Sequence, residues 1–116
     1  MSARATIKDL IPQKVKKAVD FLFQSPAICS TELRQAVEAH TAHQSGGMRQ
    51  QQVLPADLVD YLNKITHRAS EITDQDIQNL IHAGYSEDEI FEITVCASTG
   101  AGLARMEIGL ALISGE

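Results

Sequence analysis

The sequence predicts an all-α protein: a compact domain of five to six helices built around a long central helix rich in small residues. Three observations predict it. Helix-start signals recur at short intervals. Apolar residues repeat with a helical period, and no stretch shows the strict alternation of a half-buried strand. The segment "ITVCASTGAGLARM", 93–106, carries no charge from Ile93 to Ala104 and is crowded with Cys96, Ala97, Ser98, Gly100, Ala101, Gly102 and Ala104.

A chain of 116 residues reads as one domain. Within it, residues 1–53 supply N-terminal helices and a glycine-containing loop, and 54–116 the helical core. With no Trp, three Phe and two Tyr, that core must be aliphatic.

Pro12 suits the first turn of a helix that runs to about Gln24, with Val15, Ala18, Val19 and Leu22 on one face. Ser25-Pro26 breaks it. Ser30 or Thr31 caps a second helix, from about Glu32 to His43, whose stripe is Leu33, Ala36, Val37 and His40. "QSGGMRQQQ", 44–52, reads as a loop. Pro55 opens a third helix reaching about Ala69, with Leu58, Val59, Leu62, Ile65 and Ala69 facing inward.

One unit is then used twice. "ITDQDI", 72–77, and "YSEDEI", 85–90, each place a hydroxyl residue three positions before an acid. Thr73 and Ser86 can accept from an unpaired helix N–H, and Asp76 and Glu89 can reach back, which is a capping box. Ile72 with Ile77 and Tyr85 with Ile90 can pack as hydrophobic staples. Gly84 ends the short helix begun at Asp74, and the last helix runs from Glu87 to about Ser114.

Glycine inside a helix costs about 1 kcal/mol against alanine, so Gly100 and Gly102 imply a compensating contact. Two readings stand: a buried central helix that its neighbours approach closely, or a ligand pocket formed by the missing bulk.

Charge excludes some functions. A net charge of -5 argues against a dedicated nucleic-acid binder. Arg4, Lys8, Lys14, Lys16 and Lys17 make the N-terminal segment basic, which reads as a solvated helix face. Seven acids and no Lys or Arg lie from Glu71 to Glu92, and helix starts account for most of them. The twelve-residue uncharged run is too short for a bilayer, and no signal peptide is legible. Cys29 and Cys96 stand far apart without a CxxC, which points to a reduced, cytoplasmic protein.

From Leu54 to Leu112 the chain resembles the alkylhydroperoxidase D-like and carboxymuconolactone decarboxylase-like superfamily. "ITDQDIQNLIHAGYSEDEIFEI", 72–93, followed by the small-residue helix, carries the resemblance. It implies an all-helical fold and assembly into trimers or larger rings. It also implies a test of activity, because peroxidase members carry "EIxxLxVxxxNGCxYCxxxH" on the central helix. Aligned from Glu89-Ile90, the glycine falls on Gly100, the two cysteines on Ala101 and Ala104, and the histidine on Ile108. Peroxide reduction through that pair needs an attacking thiolate and a resolving thiol, and neither is present there.

The remaining candidate residues are few. Cys96, alone on an apolar helix, reads either as a buried inert thiol or as a reactive one. His40 and His43 have an i, i+3 spacing but no third ligand, so no metal or cofactor is expected. The resemblance's decarboxylase branch uses acid–base chemistry, for which Glu92, one turn before Cys96, and His67 are the candidates; Glu71 offers His67 a plain partner instead.

Three function classes follow. The leading one is a non-catalytic accessory module whose oligomer binds a small ligand or a protein partner. The second is a thiol enzyme using Cys96, with Cys29 as a further thiol. The third is a cofactor-free lyase or isomerase using Glu92 and His67. The apolar "IGLALI", 108–113, on a helix charged mainly at its start, predicts a homo-oligomer, trimer or larger, with the last helix at the interface.

Overall fold

Five α-helices form in the order expected: α1 Gln13–Gln24, α2 Thr31–Gln44, α3 Ala56–Arg68, α4 Asp74–His82 and α5 Glu87–Ile113. The structure, a computed structural model, describes residues 12–24, 27–47, 49–50 and 52–115, with the side chains of 22–24 excepted. No strand occurs among the described residues. The expected break at Ser25-Pro26, the side chain of Leu22 and the basic Arg4 and Lys8 lie outside them. No helix among the described residues is long and apolar enough to cross a membrane.

Three helix starts, those of α2, α4 and α5, are capped by a side chain. Ser30 Oγ accepts from the Leu33 N–H at 3.1 Å and caps α2. Both capping boxes form. Asp76 Oδ2 accepts from the Thr73 N–H at 2.8 Å, and Glu89 Oε1 accepts from the Ser86 N–H at 2.9 Å. Gly84 ends α4 at φ 109°, a conformation that costs glycine nothing and other residues strain.

Val37, Leu58, Leu62, Ile93 and Cys96 are the fully buried centre of the core, where α2, α3 and α5 meet. Ile72, Ile77 and Tyr85 pack against this cluster and Ile90 belongs to it. Tyr61 adds a polar tie across the same layer: its hydroxyl lies 2.7 Å from Thr94 Oγ1, which itself donates to the Ile90 carbonyl.

The long uncharged helix is explained by α2. These two helices make the main packing contact of the molecule. Along α5 the buried positions are Ile90, Ile93, Cys96, Ala97, Gly100, Ala101, Leu103, Ala104, Glu107 and Ala111, a stripe with helical period. At Gly100 a Cβ would run into the Glu38 carbonyl and Thr41 Oγ1, so only glycine admits the α2 backbone. Gly47 sits close to Ala104, though less tightly: an added Cβ would stand 2.9 Å from the alanine methyl. Gly102 is different: it is exposed with open space around it, so the expected compensating contact is absent there.

The inward faces differ from the periodicity in three places. On α2 the buried residues are Arg34, Val37, Glu38, His40, Thr41 and Ala42, while Leu33 and Ala36 are half-buried. The buried face of α2 therefore mixes polar side chains with Val37 and Ala42. On α3, Tyr61 and Thr66 are buried, whereas Ala69 is exposed in a short 3-10 turn. On α1, Ala18 is exposed and Val15 and Val19 are half-buried.

Candidate functional site

Glu92 is positioned by the first third of α5, facing the chain that enters α2. Its Oε1 accepts from the Cys29 N–H at 2.8 Å and its Oε2 from the Ile28 N–H at 2.9 Å. These residues stand immediately before the Ser30 cap, so one carboxylate pins the start of α2 to α5. The Cys29 and Ile28 amides hold the Glu92 carboxyl below its ordinary range, because they bond the charged form. A carboxylate held ionised this way is a poor proton acceptor, and each of its oxygens already accepts one amide bond.

Cys96 is 1% exposed. Burial pushes its thiol up to about 11; the nearby Arg34 opposes that, and Glu92 and Glu38 add to it. Cys29 is buried too and donates its Sγ–H to the Glu89 carbonyl at 3.7 Å. Burial first, then the hydrogen bond and charge of Glu92, push it up to about 12. Both thiols belong to the same core cluster, and both stay protonated at neutral pH.

The structure thus brings Glu92, Cys96 and Cys29 into one neighbourhood. It places His67 elsewhere, exposed in the last turn of α3. The neighbouring Thr66 carbonyl accepts from Arg105 at 2.8 Å, which puts that end of α3 beside the far part of α5. Arg105 is nine residues past Cys96, about 13 Å along a helix. No hydrogen bond or ion pair among the described residues joins His67 to Glu92 or Cys96, or to Glu71.

His40 and His43 point to different partners. His40, buried, meets Asn63 Oδ1 at 3.2 Å through Nε2, while exposed His43 meets the Arg49 carbonyl at 2.9 Å through Nδ1. No cluster of three metal-ligating side chains occurs among the described residues.

A second site was not singled out by the sequence reading. Glu38 of α2 is 3% exposed and Glu107 of α5 is 5% exposed. Arg49, from the loop after α2, clasps Glu38 with both guanidinium ends, 2.8 Å to Oε2 and 2.7 Å to Oε1. Burial pushes the Glu38 carboxyl up, Arg49 pulls it back, and the charge of Glu107 adds to the rise. The two acids face a groove of about 640 Å³ between α1, α2, α5 and the 49–52 loop. The signal was present. Glu107 follows Gly100 and Ala104 at seven and three residues, on the stripe that had to be buried.

No known protein family, curated protein or solved structure matches the chain in comparisons of sequence and fold.

Proposed function

We propose that the chain is a self-associating, ligand-binding helical module of the alkylhydroperoxidase D-like kind that performs no thiol peroxidase chemistry. One observation carries this reading. The only two cysteines are buried and protonated, and alanines occupy positions 101 and 104 where the resembled pattern has its cysteines. Glu92, the acid–base candidate, serves as an anchor for α2, and His67 stands apart from it.

Self-association is supported by the outer side of α5. Phe91 is 70% exposed, Leu112 75% and Ile113 84%, with Met106 and Ile108 partly exposed between them. Several large apolar side chains on one helix favour cover by a second copy. The ring of three or more copies follows from the resemblance. In the cell this reading places the module in the cytoplasm, in keeping with its reduced cysteines.

Two measurements test the reading. Light scattering should give a multiple of 12.6 kDa, three or more, and a thiol-coupled hydroperoxide assay should give no turnover above background. A monomer mass that holds over a wide concentration range would remove the assembly. Turnover that vanishes in C96S or C29S would favour the reading in which the neighbouring Cys29 and Cys96 form a redox pair.

A further inference from the structure

The buried pair Glu38 and Glu107 is an electrostatic imbalance. Arg49 neutralises Glu38 through two short contacts. Glu107 is 95% buried, lines the groove, and has no hydrogen bond or ion pair among the described residues. Its carboxylate is therefore the part that reaches the groove, and a carboxylate there with no partner among the described residues attracts a cation able to enter. Asp20 of α1 and Glu32 of α2 line the same groove from its exposed side. Four carboxylates therefore face one guanidinium. Between them lie Val19, Ala36 and Ala39, apolar and half-buried.

We propose that this groove binds a small aliphatic amine, with one ammonium group on Glu107 and the methylene chain along Val19, Ala36 and Ala39. A second ammonium group would meet Asp20 or Glu32 at the open end. The chemistry follows from the lining. An ammonium supplies the hydrogen-bond donors and the positive charge that Glu107 lacks. An alkyl chain suits a strip of small apolar side chains, and the groove volume falls in the range of small-molecule sites. A divalent metal fits less well, since Glu38 already gives both oxygens to Arg49 and the described residues offer no cluster of three metal-ligating side chains there.

The inference rests on reading the chain as a binding module and names its ligand class. It is tested on the full chain with spermidine, putrescine and magnesium, by thermal shift and by titration calorimetry. Millimolar spermidine should raise Tm of the wild type. E107Q, which keeps the side-chain shape and removes the unpaired charge, should fold, and its affinity should fall by about tenfold or more. E87Q removes the same charge at the exposed start of α5 and should bind as the wild type does, which separates the groove from general attraction to an acidic protein. An equal response in E107Q, or none in the wild type, overturns the proposal. A Glu107-dependent response to magnesium as large as that to spermidine also overturns it, in favour of a metal. Light scattering on the same samples reports assembly separately, so a failed titration of an assembled protein rejects the amine and leaves the wider reading standing.

Discussion

Thr41 donates its hydroxyl to the Ala97 carbonyl at 2.8 Å, and this bond crosses from α2 to α5 beside the point where Gly100 lets the two backbones meet. The same oxygen would touch any Cβ placed at Gly100. The bond and the glycine are thus one device: small bulk on α5 brings α2 close enough for a side chain on one helix to reach the main chain of the other. Its loss should be measurable from either side.

Gly100→Ala and Gly102→Ala should have opposite effects. At Gly100 the obstacles are a main-chain carbonyl and a buried hydroxyl, so the helices must part, at a cost of about 1–3 kcal/mol or more. At Gly102 nothing lies within 4 Å of the added methyl. The gain in helix propensity there should stabilise by up to about 1 kcal/mol. Chemical denaturation of both variants checks the pair. Equal effects would mean that α2 does not approach α5 at Gly100.

Glu92→Gln should weaken the protein most above pH 5 and hardly at all in strong acid. The amides of Cys29 and Ile28 lower the folded carboxyl below its ordinary value of 4.5. A depressed folded value means stability present above the unfolded one and lost as pH falls through the folded one. Urea midpoints of wild type and variant should therefore converge as the pH drops below 4.5. A constant gap across that range would show that Glu92 acts through packing and not through its charge.

Iodoacetamide should label Cys29 and Cys96 slowly in the folded protein at neutral pH and rapidly after unfolding. Both thiols are buried, and their values of about 12 and about 11 leave little thiolate. The same shifts set an alkaline limit. The unfolded thiols ionise near 9.0 while the folded ones keep their protons. Stability from this source should thus fall as pH rises from 9 toward 11–12. Fast labelling of either cysteine at pH 7 in the native state would sink the inert-thiol reading.

Leu112→Glu combined with Ile113→Glu should lower the mass seen by light scattering. Both side chains are mostly exposed at the end of α5, so the chain itself should fold unchanged. Retention of the wild-type mass, with circular dichroism unaltered, would move the interface away from this end of the helix.

Much of the fold was written locally. The caps at Ser30, Thr73 and Ser86 need only residues three positions apart; each appears where its hydroxyl stands in the chain, and a box forms where an acid follows, at Asp76 and Glu89. The helical class, the order of the helices and the close approach at Gly100 follow from such short-range chemistry and from the small residues of 93–104. Which face of α2 turns inward was decided by packing. Thr41 is buried where Gly100 of α5 has no side chain, and Glu38 where Arg49 clasps it, conditions visible only once the chain is folded. Glu92 shows the same limit. The resemblance implied acid–base chemistry for it with His67, yet it meets the amides of residues more than sixty positions away, and His67 lies on the surface. The groove around Glu107 depends on three helices and a loop at once. Local propensity acts over one or two turns of chain, whereas the partner of a buried charge is chosen by the tertiary fold.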